Sequence, residues 1–320
     1  MQSSTSTVAT RDGHALFRYA WAPEVGAPLR GVLHVSHGMA EHGARYARFG
    51  EALAARGWVV YAHDHRGHGR SATRDEDLGF FADRDGWSLV VRDLAELLER
   101  ERAAHPELPV VLFGHSMGSF VAQQLLAERA ELVDAAVLSG SNGSPGLLAQ
   151  AGRLVARLER ARLGARGRST LLTDLSFGGY NKGFAPTRTA FDWLSRDAAE
   201  VDAYAADPRC GFVCTAGMWV DLLDALPTLT RPERLARIPK DLPLYVFSGD
   251  RDPVGENGAG VRRLVVAYRR AGLSQVTLKL YPDGRHEMLN ETNRAEVVAE
   301  LLAWLEANAR LRQRKAEVAA

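Results

Sequence analysis

The segment GHSMG, residues 114–118, places a serine with a glycine two residues away on either side. An apolar run at 110–113 precedes it, and a helical pattern over 117–125 follows. Such a strand–turn–helix bend lifts a serine hydroxyl out of the edge of a sheet and aims helix N–H groups at an oxyanion formed there. The five-residue motif is weak alone, but this context makes Ser116 a candidate nucleophile.

A serine hydroxyl becomes nucleophilic when a histidine, itself held by a carboxylate, removes its proton. In chains with this motif the acid follows the serine and the histidine follows the acid. Only one of the ten histidines, His286, lies beyond position 115, so it is the predicted base. The acid is expected after the preceding strand, at Asp250 or Asp252. We favour Asp252, which lies further past the strand end; the alternative is that both aspartates only cap a turn.

An acyl-transfer site needs a second oxyanion donor from the loop after an earlier strand. The segment HVSHGMAEHGARY, residues 34–46, places a His-Gly turn there. The backbone N–H groups of Met39 and Met117 are therefore the predicted oxyanion hole, the alternative for residues 37–39 being a plain turn.

Short apolar runs alternate with longer helical patterns, which predicts a mostly parallel α/β sheet with helices on both faces. Six runs are predicted strands, and most of them are nearly continuous in apolar residues, as strands buried on both faces require. They are 31–37, 58–64, 109–115, 134–140, 243–250 and 275–283. The run 14–22 alternates and predicts an antiparallel strand ahead of them. Apolar stripes within 87–98 and 297–305 predict helices that pack on the sheet.

This rhythm stops between residues 144 and 235, where no convincing buried strand occurs. Because structureless loops of that length are rare, we predict an inserted helical cap at 144–235 and a core of 1–143 and 236–320. The stretch 146–169 combines leucines on one helical face with six arginines. Such a helix can rest on an anionic lipid surface, although more often it packs its apolar face on the core. The aromatic stretch 178–197 lines an acyl channel or holds the cap together.

The composition is that of a globular domain without a membrane span. The chain has 320 residues, 46% hydrophobic and 25% charged, and its net charge is +1. That charge predicts no nucleic-acid partner, and no apolar run is long enough for a transmembrane helix. The first residues lack the features of a secretory signal, so a cytoplasmic location is expected.

Two groups of residues invite a metal hypothesis. The only cysteines, Cys210 and Cys214, are too few for a disulfide framework, and no second ligand pair accompanies them. The segment 63–68 contains His63, Asp64, His65 and His68. We interpret these as side chains that hydrogen-bond the loops around the site, and we predict neither a metal nor a cofactor.

Five motifs occur in order along the chain: HGMAEHGARY, HDHRGHGRS, GHSMGS, SGDRD and GRHE. Together they resemble the monoacylglycerol lipase and lysophospholipase branch of the α/β-hydrolases, over about residues 10–310. The resemblance implies the α/β-hydrolase fold with a helical cap and a serine hydrolase of single-chain acyl esters. It also implies Ser116, Asp252 and His286 as the triad, Met39 in the oxyanion hole and no cofactor.

The resemblance further implies that Glu41 and Arg45 lie near the polar head of the substrate; the alternative is that they form a structural ion pair. Two positions depart from the family. Ser119 stands where relatives usually carry glycine, and Leu289 stands where the mammalian lipases carry a histidine. The second departure bears on monoacylglycerol specificity.

Other functions fit the same residues. An acyltransferase or a general carboxylesterase would use the same triad, with an alcohol or water attacking the acyl-enzyme. An aminopeptidase would need an acidic pocket for a free amine, against which the arginine-rich cap argues. Dehalogenases and epoxide hydrolases use an aspartate in place of Ser116. A non-catalytic binding module on this scaffold is the remaining alternative.

Overall fold

The computed structural model describes residues 1–143 and 147–319, with side chains described for 1–143 and 151–308. Within these ranges eight strands form one sheet, in the order β1-β2-β4-β3-β5-β6-β7-β8. The strands are β1 (Gln2–Ala9), β2 (Ala15–Ala22), β3 (Gly31–Ser36), β4 (Trp58–His63), β5 (Val110–His115), β6 (Ala135–Ser139), β7 (Leu244–Gly249) and β8 (Val276–Tyr281). The strands β3 to β8 are parallel, and all six lie within two residues of their predicted bounds. The antiparallel pairing of β2 with β4 is confirmed as well.

Strand β1 was missed by the sequence analysis. Its sequence, QSSTSTVA, carries a single large apolar residue, Val8, and the other side chains are exposed. Hydrophobic periodicity therefore signals nothing there. The strand forms because its backbone groups pair with β2 along the whole length, from Gln2 opposite Ala22 to Ala9 opposite Ala15.

Helices cover both faces of the sheet, as predicted. The helices are α1 (Ala47–Ala54), α2 (Gly86–Ala104), α3 (Met117–Arg129), α4 (Leu147–Leu163), α5 (Thr170–Phe177), α6 (Ala198–Ala206), α7 (Ala216–Ala225), α8 (Pro232–Leu235), α9 (Ala259–Arg270) and α10 (Arg294–Ala319). Neighbouring strand residues alternate between the faces. Val32 packs into the cluster formed with α2, α3 and α9, and Leu33 into the cluster formed with α1 and α10. No described helix has both the length and the apolar character needed to cross a membrane.

In the described part of the chain between β6 and β7 there are five helices, α4 to α8. Apolar residues of α5 and α7 belong to the same hydrophobic cluster as the sheet-covering helices, since Leu172, Met218 and Trp219 share it with Trp87 and Phe120. Tyr204 of α6 lies in a separate, smaller cluster. The segment therefore packs directly on the α/β core, with the carboxyl ends of β5, β7 and β8 nearby.

Candidate active site

Ser116 occupies the sharp bend between β5 and α3. Its backbone angles, φ of 51° and ψ of −120°, lie in a region that residues other than glycine rarely adopt. Both flanking glycines are required by close backbone packing. A Cβ on Gly118 would overlap the carbonyl oxygens of Ser36 and His37, and one on Gly114 would lie 2.6 Å from the carbonyl oxygen of Gly118. The motif thus exists because the turn tolerates no side chain at either position.

The loop after β3 lies against Ser116. A Cβ on Gly38 would come within 3.2 Å of Ser116 Cβ, and the Gly38 N–H donates to Glu41 Oε1 at 2.5 Å. Met39 follows in this loop and lines the adjacent cavity. Met117 is the first residue of α3, so its N–H has no acceptor within the helix. The two predicted oxyanion donors therefore lie in the two segments next to Ser116: Met39 in the loop after β3 and Met117 at the start of α3.

Asp252 and His286 form a buried pair beside this bend. His286 Nδ1 lies 3.0 Å from Asp252 Oδ1, and Asp252 also accepts from the Ser248 hydroxyl at 2.7 Å and the Val254 N–H at 2.9 Å. Burial opposes the charge on both groups, but their mutual attraction outweighs it. The pKa of His286 is consequently raised above 6.5, and the pKa of Asp252 is lowered below 3.8.

The other acid considered from the sequence, Asp250, has a different position. It lies at the end of β7 and its Oδ1 accepts from the Asp283 N–H at 2.8 Å, in an exposed setting. Asp250 therefore caps the turn that follows β8, and it is Asp252 that reaches the imidazole.

Three further groups enclose the His286 ring. His115 lies with its ring centroid 4.7 Å away, and burial lowers the pKa of His115 to about 4, so it stays neutral. Trp193 approaches from the α5–α6 region at 5.0 Å. Gly140 has a φ of 55°, and a Cβ there would lie 2.8 Å from His286 Cε1. The imidazole is thus held by packing as well as by Asp252.

Glu41 and Arg45 form an ion pair, one of the two interpretations raised for them. Arg45 Nη1 lies 2.7 Å from Glu41 Oε2, and the guanidinium also makes a bidentate pair with Glu287, both contacts at 2.7 Å. Glu41 Oε1 accepts from Gly38 and from the Tyr46 hydroxyl. Burial would raise the pKa of Glu287, but Arg45 holds it well below 4.5. All three side chains are buried or nearly so, and the network anchors the loop of Met39.

A cavity of about 230 Å³ opens beside Ser116 and His286. Its walls are formed by the loop after β3 and by apolar groups of the α5–α7 region. Among the latter are Phe177, Phe191, Trp193, Leu194 and Phe212. Of the aromatic candidates from 178–197, Phe184 instead packs under the Arg285 guanidinium at 4.3 Å.

Two of the three histidines of segment 63–68, His63 and His65, take part in a buried hydrogen-bond chain, whereas His68 Nδ1 lies 2.9 Å from the Arg66 carbonyl oxygen. His63 links His34, at 2.8 Å, to His65, at 3.0 Å, and His65 Nε2 reaches the Ser36 hydroxyl at 3.1 Å. His34 Nδ1 ends the chain on Glu101 at 2.7 Å. Burial holds the pKa of His63 and of His65 well below 6.5. Their ring nitrogens are occupied by each other, in line with the hydrogen-bonding interpretation.

Asp64 is likewise engaged without a metal. Its carboxylate accepts from the backbone N–H groups of Gly43 and Arg70, both at 2.7 Å, and from the Tyr19 hydroxyl at 3.1 Å. A Cβ on Gly69 would overlap the same carboxylate. Asp64 therefore holds together the loops after β3 and β4.

Glu287 and Tyr204 were missed by the sequence analysis. Glu287 follows His286 within the motif GRHE, so its position was visible, but nothing in the sequence showed that it pairs with Arg45, 242 residues earlier. Tyr204 lies under the Arg45 guanidinium at 4.8 Å and donates its hydroxyl to the Ala40 carbonyl at 2.9 Å. Both residues support the loop that carries Met39.

The two departures from the family pattern have different settings. Ser119 is fully buried without crowding, because its hydroxyl lies 2.6 Å from the Ser116 carbonyl and 2.7 Å from the Ser141 hydroxyl. Leu289 packs against the cluster on the α1 and α10 face.

Comparison with known proteins identifies relatives of the whole chain. Residues 27–293 match the family model described as serine aminopeptidase, S33. The chain is 32% identical to a monoacylglycerol lipase of Mycolicibacterium smegmatis over 89% of this chain and 90% of that one. It is 30% identical to human monoglyceride lipase, over 88% and 82%. A carboxyl esterase of Bacillus coagulans, solved in complex with glycerol, superimposes with a TM-score of 0.88 at 25% identity, over 97% and 99%.

A matching family model, curated relatives over most of the chain and the shared fold lead to one assignment. The protein belongs to the serine aminopeptidase S33 family, and it is a serine ester hydrolase of the α/β-hydrolase fold that resembles the monoacylglycerol lipases.

Proposed function

We propose that the protein hydrolyses carboxylic esters of single-chain lipids, of the monoacylglycerol or lysophospholipid type, through an acyl-enzyme intermediate. The observation that carries the proposal is that His286, paired with the buried Asp252, lines the same cavity as Ser116. The cavity has a volume of about 230 Å³ and a largely aromatic wall, which suits one acyl chain rather than two. Relatives named as monoacylglycerol lipases support the same substrate class.

In the proposed mechanism Ser116 Oγ attacks the ester carbonyl while His286 Nε2 takes its proton. Asp252 accepts from His286 Nδ1 and stabilises the imidazolium. The N–H groups of Met39 and Met117 bind the oxyanion. His286 then returns its proton to the departing alcohol. Water, deprotonated by His286, attacks the acyl-enzyme, which collapses to release the fatty acid and regenerate the Ser116 hydroxyl. These steps use only residues of this chain and water.

We assign Glu41 and Arg45 a role beside the substrate head that works mainly through positioning. Glu41 lines the cavity, but its Oε1 already accepts from Gly38 and Tyr46. Arg45 is engaged by two carboxylates. The pair thus holds the loop of Met39 in place beside the polar group of the ester.

We further propose that residues 144–235 form a cap subdomain over a core of 1–143 and 236–320. Its place in the chain between β6 and β7, and its contribution of Phe177, Phe191 and Trp193 to the cavity wall, support this division. In this proposal the cap determines which acyl chains fit.

Purified protein should be assayed against p-nitrophenyl esters from acetyl to palmitoyl, 1-monooleoylglycerol and lysophosphatidylcholine. We expect turnover of single-chain esters, with a pre-steady-state burst of p-nitrophenol equal to the concentration of active sites. A glycerol acceptor and an aminoacyl p-nitroanilide test the acyltransferase and aminopeptidase alternatives. Binding of esters without any turnover would contradict the proposal and favour the non-catalytic module.

The exposed apolar face of the cap supports contact with a lipid surface. Leu154 and Leu158 of α4 are each 61% exposed, and Leu175 of α5 is 63% exposed. The arginines beside them, Arg153 and Arg157, are paired with Asp224. A leucine stripe of this kind gains free energy when it enters the interfacial region of a bilayer. We propose that α4 and α5 rest on the membrane from which the lipid ester is taken.

Replacing Leu154 and Leu158 together by serine is expected to weaken binding to phosphatidylglycerol-containing vesicles roughly 30-fold. Each leucine contributes about 1 kcal/mol when its exposed part leaves water, and 1.4 kcal/mol is a factor of ten. Vesicle flotation measures the partitioning. Val266→Ser, at a 44% exposed position on α9, is the matched control and should bind as wild type. If the double variant partitioned to vesicles as strongly as wild type, the proposal that these leucines of the cap contact the membrane would be wrong.

A further inference from the structure

Three side chains that the proposed mechanism does not use converge beside the loop of Met39. They are His42, which follows β3, and Asp207 and Cys210, which follow α6. One ligand atom of each, the imidazole nitrogen, the carboxylate oxygen and the Sγ, lies within 4.8 Å of the others. We propose that these three residues form a binding site for a divalent transition metal such as Zn²⁺, with water in the fourth position.

The ligand set suits this class of metal. Zn²⁺ is bound in proteins by imidazole nitrogen, thiolate and carboxylate in tetrahedral geometry, at about 2.0–2.3 Å. Hard cations such as Mg²⁺ and Ca²⁺ take oxygen ligands, so an N, O, S set points away from them. With Asp207 and Cys210 as anions and His42 neutral, two negative charges would face the two positive charges of the ion. The nearby charge of Arg45 is already matched by Glu41 and Glu287.

Backbone hydrogen bonds place the three ligands before any ion binds. The Cys210 N–H donates to the Asp207 carbonyl at 2.9 Å, which closes a turn that brings these two residues together. The Gly211 N–H then donates to the Ala40 carbonyl at 2.9 Å and ties the turn to the loop of His42. None of these bonds uses a proposed ligand atom. A metal could therefore bind with small side-chain movements and without remodelling the backbone.

Solvent can reach the site. The side chain of Asp207 is 35% exposed and that of His42 is 11% exposed, whereas Cys210 is buried behind them. Asp207 also lines a surface cavity together with Pro208 and Arg209. A hydrated ion would thus meet the carboxylate first, then the imidazole and last the thiol.

Binding exchanges protons for metal bonds. In the structure His42 Nε2 and Asp207 Oδ2 are hydrogen-bonded at 2.8 Å. Because a carboxylate only accepts, this contact places the ring proton on Nε2. On binding, the Nε2–H bond would break and its proton would pass to water, Nδ1 would take a proton from water, and the freed Nε2 lone pair would form the bond to the ion. The Cys210 S–H bond would break, its proton would pass to water, and its electron pair would form the metal–sulfur bond.

The site would join two parts of the molecule, the loop after β3 and the segment between β6 and β7. Asp207 and Cys210 belong to the segment between β6 and β7, and His42 belongs to the loop that carries Met39. Hydrogen bonds from Tyr204 and Gly211 to the Ala40 carbonyl, and the contact of His42 with Asp207, already join these two parts. A bound ion would therefore be expected to raise the melting temperature of the folded chain by mass action.

The test uses the untagged, full-length protein after treatment with EDTA. Zn²⁺ is titrated in competition with a chromophoric chelator, and Co²⁺ is titrated while the near-ultraviolet absorption of a thiolate–cobalt bond is followed. We expect one equivalent of Zn²⁺, the Co²⁺ band, and a higher melting temperature with Zn²⁺. Cys210→Ala and Asp207→Asn should each lower the Zn²⁺ affinity at least about 100-fold, since ligand losses exceed those of supporting residues.

Cys214→Ala is the matched control, because Cys214 is also a buried free cysteine but is not one of the three ligands. It should bind Zn²⁺ as wild type does. Metal-free melting curves show whether each variant is folded. Stoichiometry below one, absence of the Co²⁺ band, or equal affinity in folded Cys210→Ala would each overturn the proposal. So would a loss in Cys214→Ala as large as that in Cys210→Ala.

Discussion

Replacing Ser116 by alanine is expected to lower kcat on a p-nitrophenyl ester by about 10⁴- to 10⁶-fold. The variant lacks the only atom that the proposed mechanism uses to form the acyl-enzyme. What survives is catalysis of direct water attack by the oxyanion donors and by substrate binding. Alanine fits the space that the serine occupies, so KM should change far less than kcat.

Steady-state kinetics and the p-nitrophenol burst measure this effect, and the burst should vanish. Ser119→Ala is the control, because this buried serine lies three residues beyond Ser116 and alanine removes only its hydroxyl contacts with the Ser116 carbonyl and the Ser141 hydroxyl. It should keep kcat within a few-fold. If Ser116→Ala retained more than about one-hundredth of the wild-type kcat, the assignment of the nucleophile would be wrong.

Asp252→Asn is expected to lower kcat by about 10⁴-fold with little loss of folded protein. An asparagine can still pack beside Ser248, but it removes the negative charge that faces His286 and favours the wrong imidazole tautomer. Asp250→Asn is the matched control. Asp250 accepts a hydrogen bond from the Asp283 N–H in an exposed setting, so the kcat of Asp250→Asn should stay within several-fold of the wild-type value. Equal losses in both variants would mean that the acid has been misassigned.

Asp252→Asn is also expected to shift the midpoint of the pH profile of kcat/KM. The base must be neutral, so kcat/KM should rise with pH as His286 loses its proton, with a midpoint above 6.5 because its pKa is raised. Burial lowers this pKa and Asp252 raises it. Removing the carboxylate charge leaves burial to dominate, so the midpoint should fall below 6.5 in Asp252→Asn. A profile of kcat/KM from pH 4.5 to 9 measures both midpoints. An unchanged midpoint in Asp252→Asn would mean that Asp252 does not set the pKa of the catalytic base.

Much of the site was predictable from local sequence, because the fold places motif residues at strand ends. The strands β3 to β7 were recognisable since burial on both faces demands nearly continuous apolar runs, whereas β8 alternates apolar and polar residues and is only partly buried. Ser116 followed from glycine spacing at a backbone bend. His286 followed from chain order, and the preference for Asp252 over Asp250 matches the contacts that each one makes.

The sequence by itself thus determined the α/β class, the positions of β2 to β8 along the chain and the candidate triad residues. Only the tertiary structure decided the contacts between distant segments: Arg45 with Glu287, the buried histidine chain from Glu101 to Ser36, and His42 with Asp207 and Cys210. Such contacts leave no periodic trace in the sequence, because they depend on how loops from separate strand ends converge at one edge of the sheet. The polar strand β1 is another feature that only the tertiary structure revealed, since it forms through pairing with β2.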